Sequence, residues 1–397
     1  MNATTEVMNK LFRDRDFYSF GKAMAPLIIK VEYLLLTAAW PEAEARRTGF
    51  PCRTYQEAWP LGAKAIRERG VPEETYLADI LDVKYLMSLG QEDESRAMAA
   101  SLTEKHPNVP FFYYVASLRE EDMQLGLQYA KKGLKCPGLT PYVRFNLLYC
   151  TLYNAFQISQ DKLRFASTAS AQTIAEGFAY ARSSIEDAET YMREAPPDCR
   201  WLRPIIYMWI QNLLLLRGHE LTLKSPELVE AKRRLKLADK TSLLLNQRLN
   251  RSFGRMTSLV FLERMGDAWA EWGPIVTEWQ ESVAVFESSL PPPVDVPNDD
   301  SEEGYLAWSE RVNNAVAAEG SNGDDTSWRK AMAEVGKFTS AEWDSLVEMN
   351  RCAWCRTPSV VLKKCRGQCS TKYCDKTCQK QDWPSHKKVC EDYNGTI

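Results

Sequence analysis

Cys352-Ala-Trp-Cys355, Cys365-Arg-Gly-Gln-Cys369, Cys374-Asp-Lys-Thr-Cys378 and His386-Lys-Lys-Val-Cys390 follow one another within 39 residues. They hold seven of the chain's eleven cysteines and one of its three histidines. Eight soft donors in four pairs match the needs of two tetrahedral Zn²⁺ ions, each of which takes four Cys or His ligands. A pair such as Cys352/Cys355 aims two thiolates at one metal from a single tight turn. His386 and Cys390 are four apart, so on a helix they share one face. Pro384 suits the first turn of that helix, where a missing N–H is harmless. A disulfide framework would require an exported chain. The opening residues, Met1 to Arg15, lack the apolar core of a signal peptide. A reducing compartment, cytoplasm and/or nucleus, is therefore expected, and metal is favoured over disulfide.

The order of six cysteines, a histidine and a cysteine, with Tyr373-Cys374 and then Cys378-Gln-Lys-Gln-Asp-Trp383 leading into His386 and Cys390, resembles a MYND-type zinc finger. The likeness covers about a tenth of the chain. It implies an interleaved arrangement. Cys352, Cys355, Cys374 and Cys378 would hold the first zinc, and Cys365, Cys369, His386 and Cys390 the second. The second pair departs from the family's usual CxxC by one residue, and Gly367 is suited to a wider turn. The resemblance also implies binding of short proline-rich peptides of partner proteins, often in transcriptional or other regulatory complexes, through Gln379 and Trp383. An indole face stacks on a preformed polyproline helix with little loss of chain entropy. The competing reading of Trp383 is that it packs the small core of the finger.

Upstream of the finger, residues 291–350 read as an acidic, proline-rich linker with short helices. Pro291 to Glu303 has four prolines, five acids and no base, a composition that cannot build a core. Gly304 to Ala318 is one expected helix. A second opens on the capping box Thr339-x-x-Glu342. The linker also contains Pro293-Val-Asp-Val-Pro297, a pattern like the ligands that such fingers bind. It could occupy the chain's own finger.

Residues 1–290 show helical periodicity and almost no strand alternation. Helices are expected at Tyr76–Gly90, Glu92–His106, Pro110–Arg119 and Asp122–Lys135. Their period resembles degenerate tetratricopeptide repeats, with Gly90 between helices and Pro107 closing the unit. Gly126, Ala130 and Gly133 are small enough for paired helices to approach closely. Further helices are expected from Pro141, Ala171, Trp201 and Pro226, the last capped by Ser225. Tyr33 to Leu36 sits within another. The fold class is therefore mainly α: a solenoid-like helical repeat body plus a small C-terminal two-zinc finger at 351–391. A solenoid offers an extended surface suited to a protein partner.

A chain of 397 residues with 45% hydrophobic content can bury a substantial core. Its net charge of −3 excludes a globally basic nucleic-acid binder. From Arg351 onward ten Lys/Arg face four Asp/Glu, a sum of +6. Seven thiolates and two Zn²⁺ bring this to about +3, because thiolates bind metal deprotonated. The longest near-apolar run, Pro204 to Leu216, is too short to span a membrane.

Signatures of common catalytic sites are absent: no GxGxxG, phosphate-binding loop, HExxH or GxSxG occurs. His106 and His219 each sit at an expected helix end, as caps or surface residues. Cys52, Cys136, Cys150 and Cys199 are dispersed, as core thiols are. Lys232-Arg-Arg234 reads as a solvated helix face. The expectation is a non-enzymatic adaptor, with zinc structural and proteins or proline-rich peptides as partners. The alternative is a nucleic-acid-binding regulator using Lys363, Lys364, Arg366, Lys372, Lys387 and Lys388. A relative of SET-type lysine methyltransferases would need a strand-rich domain. A ubiquitin ligase of the RING type would place its histidine mid-order.

Overall fold

The computed structural model describes residues 2–30, 40, 42–118, 122–164, 171–218, 221–245, 249, 252–289, 351–358, 362–365, 369 and 371–390. Tyr33–Leu36, His219, Arg366, Gly367 and the stretch 291–350, with both of its expected helices and the Pro293–Pro297 motif, lie outside the described residues.

From Asn2 to Ser289 the described chain is helical. The helices are α1 (Asn2–Asp14), α2 (Phe17–Ile28), α3 (Glu42–Thr48), α4 (Ala58–Arg69), α5 (Thr75–Ser88), α6 (Glu92–Lys105), α7 (Pro110–Ala116), α8 (Met123–Gly133), α9 (Pro141–Leu163), α10 (Ala171–Glu194), α11 (Leu202–Arg217), α12 (Pro226–Leu244) and α13 (Phe253–Ser289). Punctuation follows local chemistry. Gly70 and Gly90 adopt left-handed backbone angles that end α4 and precede α6. Pro110, Pro141 and Pro226 open their helices, where proline's missing N–H has no partner to lose. Asp122 and Thr140 cap α8 and α9 by accepting from Leu125 N at 2.9 Å and Val143 N at 3.3 Å. Ser225 does not cap α12 through its side chain as its sequence suggests; its hydroxyl accepts from Thr222 N at 3.0 Å, in the turn before the helix. Leu228, Ala231, Leu235 and Ala238 are buried on one face of α12, as their spacing requires.

Consecutive helices from α4 to α11 pack on one another along the chain, while α2 also reaches α4 and α5, and α7 reaches α9. The largest apolar core joins α1, α2 and α4 through α7 around Met24, Ile28, Trp59, Phe111 and Phe112. A second joins α9 through α12 around Tyr191, Ile206, Trp209 and Leu228. In the apolar run of α11, Asn212 is fully buried and holds α9 and α10 together: it accepts from Gln160 Nε2 at 3.4 Å and donates to Ala181 O at 3.5 Å. Among the described residues, no helix is long and apolar enough to cross a membrane.

His106 is a helix terminus, as expected, but it is not a surface residue. Its backbone N–H closes α6 onto Leu102 O, and its side chain is 14% exposed. The ring meets the buried carboxylate of Asp79 on α5, which Arg67 and Lys105 also bind. A buried charge without a partner would be strongly unfavourable, so the cluster ties α4, α5 and α6 together at one point. Cys52 and Cys150 are buried, and burial pushes their thiols up to about 12 and about 11. They are core residues, not nucleophiles.

Beyond the body, β1 (Lys363–Lys364) and β2 (Lys372–Tyr373) form a short antiparallel ladder, and α14 (Lys376–His386) closes the finger.

Candidate functional site

The finger is built from turns that deliver thiolates. Arg356 N returns to Cys352 O at 2.9 Å, with Arg356 at a positive φ of 65°, and Cys352 N bonds Thr357 O at 3.0 Å. That turn points Cys352 and Cys355 the same way. Cys374 follows β2 directly, and its N–H donates to Cys352 Sγ at 3.5 Å. Asp375 caps α14 by accepting from Cys378 N at 2.8 Å, which sets Cys378 in the helix's first turn. The second pair lies in the connection between β1 and β2, with Cys365 N bonded to Thr371 O at 2.8 Å.

The donor atoms gather into two groups, Cys352/Cys355/Cys374/Cys378 and Cys365/Cys369/His386/Cys390, each with its ligand atoms within 4.8 Å of one another. This is the interleaved grouping that the resemblance implies, and the longer Cys365–Cys369 pair still converges. The separations suit tetrahedral zinc, for which Zn–S bonds of about 2.3 Å place sulfurs about 3.8 Å apart. Cys355 Sγ lies 3.4 Å from Cys374 Sγ, and Cys369 Sγ lies 3.8 Å from Cys390 Sγ. His386 Nε2 lies 3.3 Å from Cys365 Sγ and 3.4 Å from Cys369 Sγ, so Nε2 is the ligating nitrogen. The first group also shows why a cation belongs there. Hydrogen bonding with Cys355 depresses the Cys352 thiol, while hydrogen bonds with Cys352 hold the Cys374 and Cys378 thiols far above their ordinary value. Four crowded thiols cannot all ionise without a metal to neutralise them. Two structural zinc ions fit these groups.

One expectation of helix placement is corrected. Pro384 does not begin a helix carrying His386 and Cys390. The Asp375 cap starts α14 at Lys376, eight residues before Pro384, which falls in its last turn, and Cys390 lies past the helix after the turn at 387–389. The two ligands still converge because the chain folds back, with Val389 N bonded to His386 O at 3.0 Å.

Gln379 and Trp383 lie one turn apart on α14, hence on one face. Both are partly exposed. The Gln379 amide donates toward Cys365 Sγ at 3.7 Å, and the Trp383 ring sits 6.0 Å from the His386 ring. Both therefore flank the second metal group. The buried aromatic of the finger is Tyr373, 1% exposed, whose hydroxyl donates to Asp382 Oδ2 at 2.7 Å. Burial, then that carboxylate, raises its phenol well above the ordinary range.

Two contacts with the helical body carry no sequence signal. Lys132 Nζ on α8 donates to Asp375 Oδ2 at 2.6 Å. Arg351, its side chain 3% exposed, donates to Glu186 on α10 at 2.7 and 3.2 Å. Burial opposes the charged form at both Lys132 and Asp375. Their mutual hydrogen bond and charge attraction, joined at Asp375 by the Cys378 amide, together outweigh it, raising the ammonium and lowering the carboxyl. Partners 243 residues apart share no motif.

No curated protein and no solved structure matches the chain. Residues 352–390 match the family model of the MYND finger; the chain thus carries a C-terminal MYND finger with two zinc-binding groups beside a helical body.

Proposed function

We propose that this protein is a non-enzymatic adaptor whose finger grips proline-rich peptides while the helical body engages a second protein. A MYND finger is a zinc-dependent protein-interaction module. The finer reading rests on one observation: Gln379 and Trp383 stand side by side on α14, partly exposed, with Tyr373 and not Trp383 filling the centre of the finger. An amide and an indole face so placed suit an extended peptide rich in proline, which loses little conformational entropy on docking.

The test uses the full chain and a fluorescent peptide bearing Pro291 to Asp300 of this same sequence. Wild type binds and saturates. Trp383→Ala weakens binding about tenfold or more, the expected loss for an aromatic anchor, and Gln379→Ala less so. Both variants keep two zinc ions per chain. Binding of equal strength by wild type and Trp383→Ala would remove the peptide-gripping role.

A further inference from the structure

We propose that the helical body completes the first zinc site. Lys132 is its outer cation and positioning residue, and zinc occupancy of that site is coupled to docking of the finger on the body.

Two contacts with the body lie beside the ligands of the first group. Arg351 immediately precedes Cys352, and Asp375 lies between Cys374 and Cys378; these are the residues that meet Glu186 and Lys132. Three of the four thiols in the first group, Cys352, Cys355 and Cys378, are at most 1% exposed. In the second group Cys369 is partly exposed, as Cys374 is in the first. The second group is flanked by Gln379 and Trp383 of the finger itself.

Charge gives the contacts a purpose. Four thiolates and one Zn²⁺ sum to about −2, against about −1 for three thiolates, a neutral imidazole and Zn²⁺. The more negative site is the one set against the body, and a mostly buried ammonium stands beside it. Lys132 acts through Asp375. Holding Oδ2 fixes the carboxylate whose Oδ1 caps Cys378 N, and so fixes the direction of the Cys378 side chain. Residues behind the ligands that orient them in this way govern metal retention nearly as strongly as the ligands. The reverse coupling follows from linkage: anything that favours the docked finger favours zinc in the first site, and losing that zinc frees the finger from the body.

The experiment loads the full chain with cadmium-113 and follows stepwise chelation by NMR, where a four-sulfur site and a three-sulfur, one-nitrogen site resonate apart. In wild type the three-sulfur signal disappears first. Lys132→Met loses the four-sulfur signal about tenfold sooner, with the three-sulfur signal unchanged as an internal control. Lys132→Arg, which keeps the cation, stays near wild type. Glu186→Gln, an exposed change on the body, moves the four-sulfur signal in the same direction and increases hydrogen exchange at the surface of α8 and α10. Retention of the four-sulfur signal at the wild-type rate in both Lys132→Met and Glu186→Gln would overturn the proposal. So would loss of both signals together, since that reports general destabilisation.

Discussion

His106 Nε2 lies 2.8 Å from Asp79 Oδ2, and Asp79 is only 3% exposed. Burial alone would raise this carboxyl, but hydrogen bonds from Lys105, Arg67 and His106 outweigh it and hold it below its ordinary value. A group depressed in the folded state stabilises the fold above its unfolded pKa and loses that contribution as pH falls through its folded value. The helical body is therefore expected to weaken below about pH 4, and Asp79→Asn to flatten that acid limb. The substitution itself should destabilise by about 2 kcal/mol, below the range for fully buried pairs because Arg67 and Lys105 are partly solvated. Urea melts of both proteins at pH 3.5 and pH 7 measure the difference. Parallel acid profiles would show that the cluster does not set the acid limb.

Gly133 ends α8 against α7 and α9. A Cβ there would stand 2.7 Å from Tyr113 Cβ and 2.9 Å from Leu147 Cδ2. Gly133→Ala gains about 1 kcal/mol of helix propensity but overpacks a site whose nearest neighbour is a Cβ that cannot swing away. Overpacking of this kind costs about 1–3 kcal/mol. The net expectation is a lower melting temperature, and a rise would show that α7 can shift to make room.

The small residues of α8 show how far the sequence could be read. Gly126, Ala130 and Gly133 announce a close helix approach because only small side chains permit one. Gly90, Pro110, Pro141 and Pro226 announce helix ends because their backbone chemistry is local. The eight zinc ligands are legible for a different reason: metal coordination constrains residue type and spacing together. The partnership of His106 with Asp79, and of Lys132 with Asp375, is not legible. Each joins elements whose relative placement is decided by the apolar cores, and a single Lys or Asp on a helix looks like any solvated charge. Asp375 is the partial exception, since an aspartate three residues before the Cys378 amide is a recognisable cap. The beginning of α14 could have been read from it, in place of the helix start assigned to Pro384.

Interleaving threads the two zinc sites through one another in the chain, but each keeps its own four donors. Cys355→Ser removes a ligand of the first site, yet Cys365 and Cys369 of the second lie between Cys355 and Cys374 in the chain. Either Cys355→Ser or Cys369→Ser should therefore lower zinc content below two per chain, by loss of its own ion first. Removal of both ions by a strong chelator should unfold residues 352–390 while the far-ultraviolet circular dichroism of the helical body persists, because the body has apolar cores of its own. Loss of most of the helical signal on chelation would show that the body cannot stand without the metal.

Salt separates a peptide-binding finger from a nucleic-acid-binding one. Lys363, Lys364, Lys387 and Lys388 are exposed, and Lys372 is partly so. If these residues neutralised phosphates, affinity for an oligonucleotide would fall steeply with salt, each phosphate contact contributing a slope of about −0.9 in log–log form for duplex DNA. Thiolates reduce the finger's positive charge to about +3 once zinc is bound, which leaves little to drive such binding. Stacking of a proline-rich peptide on Trp383 releases no condensed counterions. Peptide affinity is therefore expected to change less than threefold between about 50 and 200 mM salt, and duplex DNA to bind only weakly at the lower concentration. Anisotropy titrations of both ligands at the two concentrations decide the matter. Tight DNA binding with a slope near −4, abolished by neutralising Lys363, Lys364, Lys387 and Lys388 together, would assign the basic face of the finger to nucleic acid instead.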